Sequence, residues 1–116
     1  MVKPKIHALL AALLLASIAP TWADNSAQFK EAAAAYQAGD YSQAFRLFQQ
    51  FADRGDAMAQ NNLGMLYAEG LGVAQDYQQA KAWWQKVLAQ PNTADNTQIK
   101  KYANYYLQEL KKAGIR

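Results

Sequence analysis

The sequence contains no cysteine. That excludes disulfides, thiolate nucleophiles, cysteine-held zinc and the lipid-modified N-terminus of bacterial lipoproteins. Histidine is nearly absent too: His7 is the only one in the chain, and it falls in a segment read below as a leader. The remaining chain therefore has no imidazole to serve as metal ligand or general base. A carboxylate pair remains conceivable for acid–base chemistry. Asp40, Asp56 and Asp76 each stand where a helix begins, where capping explains them. Glu31, Glu69 and Glu109 are spread over separate helices. A catalytic site needs titratable groups that converge, so the sequence predicts no enzyme, no cofactor and no metal. Arg54-Gly55-Asp56 spells an integrin-binding tripeptide, but it coincides with a glycine turn and a helix cap.

Long apolar runs are scarce as well. The one that stands out covers residues 8–19, twelve positions, against about 20 for a membrane-spanning helix. It follows Lys3 and Lys5 and precedes Pro20-Thr21-Trp22-Ala23. Positive, apolar and small-residue regions in that order are the layout of a secretory signal peptide. Cleavage after Ala19 would leave Pro20 in the first mature position, which blocks that site. Thr21 and Ala23 have the small-residue spacing for cleavage before Asp24. The expected domains are a signal peptide at 1–23 and a helical repeat domain at 24–116, periplasmic or secreted, with no stable membrane insertion.

Removing the leader takes the formal charge from +3 to +1 and the length from 116 to 93 residues. A near-neutral chain without a basic stripe offers no footprint for nucleic acid. Lys100-Lys101 reads as a solvated face, and Lys111-Lys112 as the basic end of a helix. With 93 residues and no disulfides, side-chain packing has to hold one domain together. Phenylalanines, tryptophans and seven tyrosines supply the bulk for it.

Periodicity is helical throughout. Asp24-Asn25-Ser26 offers an N-cap to a first helix over 27–38, with Phe29, Ala32, Ala33 and Tyr36 on one stripe. Gly39-Asp40 and Gly55-Asp56 are repeated punctuation, glycine closing one helix and aspartate capping the next. The second helix carries Ala44, Leu47, Phe48, Phe51 and Ala52. The third, over 57–69, turns Ala59, Leu63, Leu66 and Tyr67 inward, with Gly64 as a point of close helix approach. A fourth runs from Tyr77 to about 89 with Ala80, Trp83, Trp84 and Val87. Residues 91–96 read as a linker. A fifth helix over 97–113 carries Ile99, Tyr102, Ala103, Tyr106 and Leu110.

Asp40-Tyr41, Gln43, Ala44 and Phe48 match Asp76-Tyr77, Gln79, Ala80 and Trp84 in type and spacing. The two alanines are 36 residues apart, a spacing found in helical-hairpin arrays. The predicted fold class is all-α: a short α-solenoid of two antiparallel helical hairpins, about 26–54 and 57–90, plus a C-terminal capping helix.

Ala59-Gln60-Asn61-Asn62-Leu63-Gly64, Tyr67, Gly70, Gly72-Val73, Asp76-Tyr77, Ala80, Trp83-Trp84 and Lys86 make up nearly a complete repeat. That pattern resembles the Sel-one-like repeat of the tetratricopeptide superfamily. The Gly-x-Gly-Val-x-x-Asp loop separates it from plain tetratricopeptide repeats. Residues 36–57 resemble the shorter opening hairpin common in small exported bacterial members. The resemblance covers about 29–91. It departs at Val87-Leu88, where the family has two alanines, and at Gln90-Pro91 in place of Gln-Gly, so the array is expected to stop there.

Helical repeats present a concave surface, assigned here to the first helix of each hairpin. The positions left over by the core stripe are Met58, Asn61, Met65 and Glu69, with Tyr36 and Gln37 nearby. Methionine and tyrosine suit adaptable apolar contacts, and asparagine can hold a peptide backbone. The expected function is an exported module binding a protein or peptide partner. The alternative is a cell-wall or peptidoglycan-associated accessory, for which exposed aromatics such as Tyr105 would serve. N-terminal sequencing of the exported protein is expected to begin at Asp24; a mature chain that retains Met1 would contradict the leader.

Overall fold

The structure is a computed structural model and describes residues 26–116. The expected leader at 1–23 and the expected cap positions Asp24 and Asn25 lie outside the described residues. Five helices follow one another: α1 (Ser26–Gln37), α2 (Tyr41–Asp53), α3 (Ala57–Glu69), α4 (Tyr77–Leu88) and α5 (Ala94–Lys112). Among the described residues there is no strand, and no helix is long and apolar enough to cross a membrane. α1 pairs with α2, and α3 with α4. α2 packs on α3, and α5 closes the stack against α4 and α3.

Three of the helix starts are set by aspartates that accept backbone N–H bonds. Asp40 Oδ1 accepts from Gln43 at 3.3 Å and Asp56 Oδ1 from Ala59 at 2.9 Å. Asp76 Oδ1 accepts from both Gln78 and Gln79, at 3.0 and 3.1 Å. Each satisfies a donor that the first turn leaves without an intrahelical partner. α5 departs from expectation. It begins at Ala94 within the segment read as a linker, because Thr93 acts as its cap. The Thr93 hydroxyl accepts from Asn96 N–H at 3.1 Å, and Asp95 puts a negative charge in the first turn, where the helix dipole favours it.

Alternating small and large residues fill the core. Ala44, Ala59 and Ala80 are fully buried and let helices close on one another, while Phe48, Leu63, Leu66 and Trp84 fill the space between. Phe45 of α2 meets Tyr67 of α3 edge to face, ring centroids 5.4 Å apart. Trp84 of α4 stacks on Tyr106 of α5 at 5.2 Å. The loop after α3 holds Gly72 at φ 73°, and a Cβ there would lie 2.5 Å from the backbone carbonyl carbon of Tyr41. Glycine is required twice over, by the left-handed backbone and by the contact between the second hairpin's loop and the start of α2.

Gly64 is the tightest helix contact. A Cβ at this position would fall 2.7 Å from Trp84 Cε2 and 2.8 Å from Cδ1. The indole cannot swing aside: it is fully buried, stacked on Tyr106, and its Nε1–H donates to the Asn61 carbonyl at 3.2 Å. Gly64→Leu is expected to destabilise the fold by about 1–3 kcal/mol through overpacking. Denaturant unfolding followed by circular dichroism measures it, and an unchanged midpoint would refute the contact.

Candidate functional site

α3 supplies four of the six candidate binding residues at positions i, i+3, i+7 and i+11, which form one stripe on a helix of 3.6 residues per turn. The structure corrects the expectation that the stripe is open. In the 116-residue chain Met58 is 2 % exposed, Asn61 and Met65 are fully buried, and Glu69 is half-buried. Eleven of the thirteen α3 residues are buried. α3 is the central helix, with α2, α4 and α5 packed against it, so little of its circumference faces outward. Tyr36 is half-buried on α1 and Gln37 exposed beside it.

The structure does bring Tyr36 and Glu69 together. The Tyr36 ring meets Tyr41 edge to face at 5.2 Å. Burial pushes the Tyr36 hydroxyl up to about 12, with Tyr41 and then the Glu69 carboxylate adding to the shift. Tyr77 is raised in the same way, by burial first and Glu69 second. Gln75 completes this corner: its Nε2–H donates to the Ala68 carbonyl at 2.8 Å and to the Tyr77 hydroxyl at 3.1 Å. One end of the α3 stripe is thus an aromatic and amide cluster around a carboxylate.

The middle of the stripe has a different character. Asn61 and Asn62 are both fully buried, and neither the side-chain nitrogen nor the side-chain oxygen of either has a hydrogen-bond partner. An unsatisfied buried amide costs about 1–3 kcal/mol per lost partner, and native interiors seldom leave one. Two adjacent residues carry that cost here. α3 therefore holds hydrogen-bonding capacity that the described chain does not use.

A Sel1 repeat model matches residues 27–56 and again residues 57–90, together more than half of the chain. The chain belongs to the Sel1 repeat family. No curated protein matches the chain, and no solved structure does. The first Sel1 repeat spans α1 and α2, the second α3 and α4, and α5 lies beyond both matches. Sel1 repeats are non-catalytic and mediate protein–protein interaction.

Within the second Sel1 repeat, the residue that the sequence reading passed over is Asn62. Its neighbour Asn61 was chosen as a backbone-holding amide, yet both share the same unsatisfied state. The adjacent pair Asn61-Asn62 carries no local signal of this state, because the burial comes from the helices packed around α3. The Tyr36–Glu69–Tyr77 grouping depends on loop geometry and has no local signal. The charged cap Asp56 sits at the junction of the two repeats. Burial pushes its carboxyl above the usual range, while the backbone N–H groups of Ala59 and Met58 pull it down less strongly.

A raised folded-state value means that the unfolded chain releases this proton first. Asp56 therefore subtracts from stability at neutral pH, and the loss is relieved as pH falls through the raised value toward the ordinary carboxylate range. Asp56→Asn keeps an acceptor for Ala59 N–H and removes the charge, so at pH 7 it should match or exceed the parent in stability. Asp56→Ala loses the cap and should cost about 1 kcal/mol. Urea midpoints of the two variants check this, and an Asn variant weaker than the Ala variant would reverse it.

Proposed function

We propose that the chain is exported, processed between Ala23 and Asp24, and then binds a protein or peptide partner through the α3 stripe. Met58 and Met65 give the apolar contacts, and Asn61 holds the partner backbone. Glu69, Tyr36 and Gln37 line the end formed with the first repeat. The compartment is the periplasm or the exterior. The observation that carries this reading is the unused hydrogen-bonding capacity of Asn61 and Asn62 in a family whose repeats mediate protein–protein interaction. Amides that the fold leaves without partners are what an incoming peptide backbone can satisfy, since each offers both donors and an acceptor.

Neighbouring helices bury the stripe, so partner contact through it requires the packing around α3 to open. Peroxide oxidation with mass spectrometry reads this at Met58 and Met65. The proposal requires both to oxidise readily in the processed chain; protection comparable to a sealed core would end it.

The binding test needs a substitution that spares the fold. Met65→Ala is unsuitable, because truncating a buried methionine costs about 2–5 kcal/mol by itself. Asn61→Leu keeps the branched side-chain shape and removes an unpaired amide; because leucine is bulkier, its melting temperature is measured beside the parent's. Crosslinking in the native compartment followed by mass spectrometry should show the partner captured by the parent and lost with Asn61→Leu. Equal capture by both chains would remove Asn61 from the contact. Recovery of cell-wall material in place of protein would replace the reading altogether.

A further inference from the structure

A second surface lies at the other end of the stack and does not depend on the α3 stripe. After α5 the chain turns at Gly114, whose N–H donates to the Lys111 carbonyl at 3.0 Å, and Ile115 N–H then donates to the Leu110 carbonyl at 2.9 Å. The turn folds the last residues back toward α4, where the Gln78 side-chain amide donates to the Arg116 carbonyl. Between α4, α5 and this turn is a cleft of about 650 Å³, within the roughly 300–1,000 Å³ range of ligand pockets. Leu107, Leu110 and Ile115 form its apolar part, and Lys81, Lys111 and Arg116 bring cations from three different elements. No aspartate or glutamate side chain lines it.

We propose that this cleft docks a short acidic segment of a protein partner, with apolar side chains alternating among its carboxylates. The charge argument is local. Lys112 is paired with Glu109 at 3.0 Å, whereas among the described residues the side chains of Lys81, Lys111 and Arg116 have neither an ion pair nor a hydrogen bond. The two unpaired lysines, with the Arg116 guanidinium beside them, raise the local concentration of negative groups. A small inorganic anion would leave Leu107, Leu110 and Ile115 without a contact, and a purely apolar ligand would leave the cations unanswered. A peptide that carries both chemistries uses the whole surface, and it fits a family whose partners are proteins.

The test uses the exported chain and a fluorescein-labelled octapeptide alternating Glu and Leu, read by fluorescence anisotropy. Its counterpart alternates Lys and Leu. The acidic peptide should bind and the basic one should not, and binding should weaken as salt screens the rim. Lys81→Glu with Lys111→Glu should weaken the acidic peptide by about tenfold or more. Arg116→Glu, at the exposed chain end, should weaken it less and serves if the double variant misfolds by circular dichroism. Lys30→Glu with Lys101→Glu changes net charge equally at exposed positions away from the cleft and should leave affinity within about twofold. No binding of the acidic peptide up to about 1 mM overturns the proposal, as does equal weakening by the control pair. Binding of anionic phospholipid vesicles that the cleft variants abolish, with no peptide binding, would assign the surface to a membrane and overturn it too.

Discussion

The stack depends on one contact, the Trp84 indole laid over Gly64. Because Gly64 has no side chain, α4 comes close enough for the indole N–H to reach the Asn61 carbonyl at 3.2 Å. That carbonyl already serves the helix bond to the residue four positions on, so the indole uses a second lone pair and leaves the α3 ladder intact. The indole also stacks on Tyr106. One side chain therefore joins α3, α4 and α5. A second glycine, Gly72, brings the loop of the same hairpin onto the backbone of Tyr41 and fixes the first hairpin relative to the second. Without disulfides, these two close approaches replace covalent staples.

Placing α3 at the centre has a cost that the helix itself shows. Packing needs a helix that is buried on several sides, and such a helix should be apolar all round. α3 instead carries Gln60, Asn61 and Asn62 in sequence, all buried. Gln60 is answered: its Nε2–H reaches the Ala52 carbonyl at 3.3 Å, and its Oε1 accepts from Gln90 at 3.1 Å. The two asparagines are shorter and reach no partner. The contrast separates a polar side chain that joins neighbouring elements from a pair whose amides make no hydrogen bond within the fold.

What was legible in the sequence was local or periodic. Gly39-Asp40, Gly55-Asp56 and Asp76 mark helix boundaries because a cap acts within three residues of itself, and the structure has those caps bonded. The Ala44–Phe48 and Ala80–Trp84 correspondence gave the repeat. Thr93 was equally local, yet Pro91 and the polar run after it read as a linker, and the cap three residues before Asn96 was passed over. The α3 stripe failed for a different reason. A helical wheel sorts Met58, Asn61 and Met65 away from the Leu63–Leu66 face, but it cannot count how many neighbours a helix will have. Burial of the second face comes from tertiary arrangement, and nothing within thirteen residues encodes it.

Charge shows the same gap between local and global readings. The sum over residues 24–116 is small, which argues against a nucleic-acid partner and made Lys111-Lys112 look like ordinary helix-end cations. Folding redistributes that sum. Asp40, Asp56 and Asp76 are used at helix starts, and Glu109 neutralises Lys112. Glu69 lies in the tyrosine corner at the C-terminal end of α3. These five carboxylate side chains are thereby committed elsewhere, and Lys81, Lys111 and Arg116 meet around one cleft that no aspartate or glutamate lines. A single glycine turn after α5 is what carries Ile115 and Arg116 to that place. Net charge fixes how a chain behaves toward a distant polyanion, whereas the field inside a cleft follows from which counter-charges the caps and ion pairs have already consumed. In this chain the two quantities differ enough that a nearly neutral repeat presents a cationic, apolar-floored recess.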